Sequence, residues 1–455
     1  MNPLAIGDVV QSSALERAWA AAPKGHAVVP RRRLEYDTSN VLFYSPISYD
    51  YAPIQPAVVE PPMVEWIADR FRSFVLGQRE GGSTRGDCPM LGSLVRAGYV
   101  SDGIIDDYLR NSGEESVYGG LLDDVLHGGG LGAADRITQL LCHRQVGSPK
   151  NSAVDLSAKL HSHVADASKA KLPLRFVVPA FPFKDQNPFR TGRNTPASHV
   201  DFGELALVAR LHALALAISQ VHPYGAEWII VSDGVTYAPI FAVPEEEARR
   251  YRLSLQDFRN RLNLQNTLHF LDLSDMASRL PNFSALVEDI EGKLRKLTAT
   301  GDDAERLEVL ARGISWNLST REYLDEYEPA ELWSVLTSSQ PSAMPHVSER
   351  LRTEIVERSR NAAIRYAAFN MAFSHVQLLE RFLPGAIRAT VHPKPGQVAL
   401  PRLGDVYPWN GVGVRTPAAG NVVIESREYF SFARQRWSAA RLYSSEFAFY
   451  YELLE

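Results

Sequence analysis

The sequence reads as an α/β protein with a mixed sheet, and three observations carry that reading. Short apolar runs of strand length, Leu174–Pro179, Trp228–Val231 and Leu268–Leu271, alternate with longer stretches of helical periodicity. One of those stretches, Leu205–Ile218, is strongly apolar and is opened by Asp201-Phe202-Gly203-Glu204. A further apolar run, Tyr237–Val243, follows Trp228–Val231 at hairpin distance across Asp233-Gly234, which adds antiparallel pairing.

The elements follow in order. ALERAWAAA allows one short helix, and the Tyr- and Pro-rich stretch after it, with Arg31-Arg32-Arg33, reads as irregular and solvated. Val64–Leu76 places Val64, Ile67, Ala68, Phe71, Phe74 and Val75 at helical spacing. Gly81–Gly92 is a glycine-rich loop, followed by short helices at Ile104–Arg110, Leu121–Leu126 and Arg136–Leu141. His127-Gly128-Gly129-Gly130 has the look of a hydrolase oxyanion loop, but the chain holds no G-x-S-x-G elbow, so it reads as a turn. His161 and His163, two apart, project to different sides of a helix and read as surface histidines. Glu245–Arg261 is a charged amphipathic helix, and residues 281–382 are mainly helical, with Ser348 capping a long segment that Pro384-Gly385 stops. Ala386–His392, Val398–Leu400 and Val412–Val414 are late strands, with Tyr407-Pro408-Trp409-Asn410-Gly411 between them.

Composition narrows the function classes. At 455 residues the chain holds one large or two smaller domains. A net charge of -5 disfavours nonspecific nucleic-acid binding. Two cysteines, Cys88 and Cys142, exclude a disulfide scaffold, and no ligand spacing suggests a metal. The opening residues show no basic region followed by an apolar core, and Arg210 and His212 interrupt the most apolar run. The expectation is a cytoplasmic protein with neither a membrane nor a nucleic-acid partner.

The stretch 177–204 concentrates the chemistry. A buried strand empties into FPFKDQNPFRTGR, and a helix begins at Asp201. Strand ends in α/β folds face ligand crevices, and cations beside a helix N-terminus suit an anion such as phosphate. The alternative is a surface loop with solvated charges. Asp201 and Glu204 also form D-x-x-E, a capping box worth about 1 kcal/mol of helix stability without any further role.

PAFPFKDQNPFR, VDFGE, YGAEWIIVSDG, IRATVHPK and YPWNGV, in this order and spacing, resemble the pyoverdine/dityrosine biosynthesis family, which contains the isocyanide (isonitrile) synthases. The resemblance covers roughly residues 150–420, and five weak motifs in one order are together fairly specific. It implies a Rossmann-like core with helical insertions. An N-terminal extension would occupy residues 1–105, mostly irregular and helical, and the catalytic domain 106–455. It further implies a synthase without cofactor or metal that joins the α-amine of tyrosine or tryptophan to ribulose 5-phosphate, the sugar's ketone carbon becoming the isocyanide carbon.

Carried onto this chain, the resemblance makes Lys184, Asp201, Glu204, Asp233 and His392 the candidate catalytic acids, bases and charges. Asn187, Arg190, Ser232, Arg388, Lys394 and Trp409 are the candidate substrate-binding residues. Each has a plain structural reading beside the functional one: a satisfied histidine, an ion pair for Arg388, a packed anchor for Trp409. Lys184→Ala is expected to remove turnover while sparing stability. The chain departs from the family pattern at Asn410, where a histidine is usual, and at Pro239, where an aspartate is usual. The departures keep two alternatives open: other amino-acid chemistry on the same fold, such as N-formylation of tyrosine, and a noncatalytic sugar-phosphate-binding protein.

Overall fold

The structure, a computed structural model, describes residues 59–81, 94–98, 125, 130–143, 147–148, 151–186, 196–261, 264–315, 317–318, 349–393, 397–401, 403, 406–415, 422–425 and 450–454. Residues 1–58, the loop 82–93, the helices expected within 104–126 apart from residue 125, and the cap at Ser348 lie outside that set.

Helix α1 (Val64–Gly81) precedes strand β1 (Leu94–Gly98). Helices α2 (Ala133–Cys142) and α3 (Ala153–Ala170) lead to β2 (Leu174–Pro179), and α4 (Phe202–Ser219) leads to β3 (Ala226–Ser232). The one-turn helix α5 (Gly234–Tyr237) and α6 (Glu245–Arg261) precede β4 (Leu268–Asp272). A helical layer follows: α7 (Leu273–Ser278), α8 (Phe283–Leu297), α9 (Asp302–Ser315), α10 (Glu349–His375) and α11 (Leu378–Phe382). The chain then gives β5 (Ile387–Thr390), β6 (Val398–Ala399), a 3₁₀ turn at Pro408–Asn410, β7 (Val412–Arg415), β8 (Val422–Glu425) and β9 (Tyr450–Leu454).

The central sheet runs β4-β3-β2-β5-β6, and every neighbouring pair is parallel. Counted along the chain this order is 3-2-1-4-5, so the winding reverses between β2 and β5, where Val177 sits opposite Arg388. A parallel sheet is covered on both faces, which is why its strands read as apolar runs rather than alternating ones. Phe176, Val178, Trp228, Ile230, Leu268 and Ile387 pack on one side with α2, α3, α4 and α6. Val177, Ile229, Val231 and Leu271 pack on the other with α1 and the helices α7 to α11. Helix α4 is apolar on nearly its whole circumference because it is a core element, buried between the sheet and β7–β8. Among the described residues it alone has the length and hydropathy to cross a membrane, and most of it is buried inside the protein.

Two expectations about the sheet need correction. The mixed pairing is not in the central sheet but in a second one, β1-β9-β7-β8, where β9 and β7 run parallel and the outer pairs antiparallel. No hairpin forms at Asp233-Gly234: Tyr237–Val243 is not a strand, and the chain instead enters α5, a turn and α6. The reason is a close approach by a distant part of the chain. A Cβ on Gly234 would stand 1.7 Å from the Pro182 carbonyl oxygen, so glycine here admits the loop after β2 rather than making a two-residue turn. Gly413 plays the same part where β7 meets the start of α4, a Cβ there standing 2.8 Å from the Gly203 nitrogen.

Candidate active site

The order of the central strands brings the loop after β2, the start of α4, the end of β3 and the 3₁₀ turn to one end of the sheet. The loop leaves β2 through Phe181, which is fully buried with φ 58. That left-handed conformation is unfavourable for a bulky residue. It is held by the Ser232 hydroxyl, which donates to the Phe181 carbonyl at 3.2 Å, and by the ring of Trp409 at 4.9 Å.

Three residues on, Lys184 is wholly buried. Its ammonium donates to Asp201 Oδ2 at 2.7 Å, to both oxygens of Glu204 at 3.0 Å and to the Pro408 carbonyl at 2.8 Å. The two acids are at the same time the cap of α4. Asp201 Oδ1 accepts from the Gly203 amide at 2.7 Å, and Glu204 Oε2 accepts from the Asp201 amide at 2.9 Å. Tyr251, from α6, donates its hydroxyl to Glu204 Oε1 at 2.9 Å. The loop backbone closes the arrangement, with the Lys184 amide on the Ala197 carbonyl at 2.8 Å and the Asp185 amide on the Trp409 carbonyl at 2.7 Å. Burial and the Asp201 charge push Glu204 up against the opposing pull of Lys184, and the two carboxylates hold the Lys184 ammonium above its usual range despite burial. Lys184, Asp201 and Glu204 therefore come together as a saturated hub joining four parts of the chain.

Asp233 lies at the carboxyl end of β3, in the bridge region of backbone space at φ -103, ψ 4. Its Oδ1 is buried and has no partner among the described residues. Burial, with the nearby Asp272 charge, raises its carboxyl to about 7. Its charge also reaches the hydroxyls of Tyr237, Tyr366 and Tyr251, so it stands between the Lys184 hub and an aromatic cluster. In that cluster Tyr237 meets Tyr366 at 5.1 Å and Phe369 at 5.5 Å and donates to Asn370 Oδ1 at 3.3 Å.

The other sequence candidates are spread more widely. Arg388, on β5, lies 5.6 Å over the Phe373 ring with its Nη1 3.5 Å from Glu380, and its buried Nε has no partner among the described residues. Trp409 is packed in the core against Tyr407 and Phe181. His392 is exposed just past β5, its amide on the Thr390 hydroxyl. Asn187, Arg190 and Lys394 lie outside the described residues. Asn410 is half-buried on the 3₁₀ turn, and Pro239 is exposed. Sequence reasoning missed Tyr251, Tyr366 and Asn370. The only sign of Tyr251 is a polar ring in the apolar stripe Ala248, Tyr251, Leu255 and Phe258; Tyr366 and Asn370 share one face of a helix with Phe373. Among the described residues no group of His, Cys, Asp and Glu is arranged to hold a metal ion.

Comparison with known proteins gives the site its family. A family model described as pyoverdine/dityrosine biosynthesis protein matches residues 164–440. Isocyanide synthase A of Aspergillus fumigatus is 23% identical over 293 residues, 62% of this chain and 44% of its own length. The L-tryptophan isonitrile synthase of Fischerella ambigua is 33% identical over 91 residues, 20% of this chain and 27% of its own. The chain thus spans less than half the length of both. The L-tyrosine isonitrile synthase of Pseudomonas aeruginosa is 25% identical over 281 residues, 60% of this chain and 79% of its own. The crystal structure of the PvcA protein from Pseudomonas aeruginosa covers 66% of this chain and 94% of its own, with 17% identity and a TM-score of 0.46. The family match spans more than half of the sequence, and it holds the Lys184 hub, Asp233 and Arg388: the chain belongs to the pyoverdine/dityrosine biosynthesis family.

Proposed function

We propose that the chain is a cytoplasmic isonitrile synthase with a Rossmann-like core, joining the α-amine of tyrosine or tryptophan to ribulose 5-phosphate. The observation that carries the reading is the convergence of four family motifs at the carboxyl ends of a parallel sheet, next to the buried oxygen of Asp233 that has no partner among the described residues. Ligands in open α/β sheets bind beyond the carboxyl ends of the strands, at the point where the winding reverses. The strand order 3-2-1-4-5 puts that point between β2 and β5. The named relatives that act on tyrosine and tryptophan favour an aromatic amine donor.

In this reading the residues divide the work. Amine attack on the ketone forms the carbon–nitrogen bond and needs a neutral amine, then an acid to expel water. Asp233, raised to about 7, holds and releases a proton at neutral pH and is the acid/base we assign. Lys184, Asp201 and Glu204 fix the loop and the start of α4 without touching the sugar phosphate, because every ammonium proton is already engaged. Asn187, Arg190 and Lys394, with His392 at the rim, are the groups we assign to the phosphate. The division of the chain near residue 105 stays part of the proposal; α1 packs on α8, α9 and α10, and β1 pairs with β9, so the N-terminal part contributes to the same body.

The test is mass spectrometry of the purified chain incubated with tyrosine or tryptophan and ribulose 5-phosphate labelled with carbon-13 at the ketone. A labelled isonitrile is expected. Both substrates recovered intact would overturn the reaction for these donors.

A further inference from the structure

We infer that the amino acid is seated where α10 meets the carboxyl ends of β3 and β5, Arg388 taking its α-carboxylate, Asp233 facing its ammonium group and the rings of Tyr237 and Tyr366 walling its side chain. This deepens the synthase reading and rests on it for the class of ligand.

The first argument is a mismatch of polar groups. Asp233, Thr236 and Arg388 are half-buried, yet Asp233 Oδ1, Thr236 Oγ1 and Arg388 Nε are each buried without a partner among the described residues. Folded proteins rarely leave such atoms unpaired. Two of the three belong to the turn of Tyr237. Asp233 caps the turn that carries Tyr237, its carbonyl accepting from the Tyr237 amide at 3.0 Å, and Thr236 is the preceding residue. The Arg388 charge reaches the Tyr237 hydroxyl.

The second argument is complementarity. A free α-amino acid presents one anion and one cation on a single carbon, and here one carboxylate and one guanidinium both act on the Tyr237 hydroxyl of an aromatic cluster. Glu380 takes only the Nη1 edge of Arg388, at 3.5 Å and from a half-exposed position. The Nε edge is left for a carboxylate, which guanidinium binds through two parallel hydrogen bonds. The Phe373 ring under the guanidinium holds its plane. The wall itself is aromatic in depth, with Tyr366 packing on Phe241 at 5.9 Å and on Phe74 at 5.7 Å. Asn370 lies between the two tyrosines, accepting from Tyr237 and donating to the Tyr366 carbonyl at 2.8 Å, which orients the wall.

Calorimetric titration of the full chain with L-tyrosine, L-tryptophan and tyramine, in the absence of sugar phosphate, tests the placement. At least one amino acid is expected to bind the parent, Arg388→Met to weaken it 10-fold or more with an unchanged melting temperature, and Arg388→Lys to recover part of the loss. Tyramine lacks the carboxylate, so its affinity is expected to be the same for parent and Arg388→Met. Equal affinity of the amino acid for parent and Arg388→Met would overturn the inference, as would no binding of either amino acid. Binding that depends on Arg388 without isonitrile formation would uphold the subsite and fault the reaction; isonitrile formation with Arg388-independent binding would do the reverse.

Discussion

Two buried polar clusters lie side by side at the end of this sheet, and they are opposites. Around Lys184 every ammonium proton, both oxygens of each carboxylate and the adjoining amides are paired within the protein. Around Asp233, hydrogen-bonding atoms are buried and left over. A saturated cluster fixes geometry, because removing any member strands a buried charge. An unsaturated one has capacity left for a ligand or a proton. Family motifs run through both, so a motif alone does not say which of the two tasks its residues perform.

The sharpest way to break the comparison is Lys184→Met, which strands two buried carboxylates. Loss of one partner of a buried ion pair costs about 3–5 kcal/mol, so the denaturant midpoint is expected to drop steeply. This reverses the expectation drawn from sequence, that Lys184 could be removed without cost to stability. An unchanged midpoint would return Lys184 to a directly catalytic role.

Gly234→Ala comes next. Its Cβ would collide with the Pro182 carbonyl, and forced repacking of this kind costs about 3 kcal/mol, measurable as a lowered unfolding midpoint. A neutral substitution would mean that the loop after β2 moves freely against β3.

Asp233→Asn separates the clusters most directly. As an acid/base, Asp233 is expected to contribute about 100-fold in turnover, read from the isonitrile assay, while the variant folds normally. Its pH signature has a definite sign. Burial lifts the folded carboxyl from 3.8 to about 7, so between those values the folded chain holds a proton that the unfolded chain has released. The stability this contributes is complete below about pH 4 and is lost as pH rises to about 7. Asparagine does not titrate, so the variant's stability relative to the parent should rise across that window and level off above it. Unfolding curves at several pH values that ran parallel for the two proteins would contradict the buried placement of Asp233.

The smallest effect expected is that of Tyr251→Phe, which removes a single hydrogen bond to Glu204 and should cost about 1 kcal/mol with turnover nearly intact. A large loss of turnover would move Tyr251, and the hub with it, into the chemistry.

Much of this architecture was legible in the chain. Leu174–Pro179 is β2 to the residue, Glu245–Arg261 is α6, and Asp201 with Glu204 is the capping box of α4, because apolar runs, helical periodicity and D-x-x-E spacing are local signals. The false hairpin at Asp233-Gly234 came from a signal equally local but ambiguous: glycine serves a tight turn and a close approach alike, and only Pro182, fifty-two residues earlier, distinguishes them. Family order brought Lys184, Asp233 and Arg388 into one short set of candidates. Their separation into a saturated hub and an unsaturated cluster depends on Pro408, Tyr251, Tyr366 and Asn370, whose side chains and carbonyls arrive from distant elements. The sequence determined the strands of the central sheet, the capping box of α4 and the family. The tertiary structure alone decided which charges are paired, since pairing is set by distances across the fold and local periodicity carries no record of them.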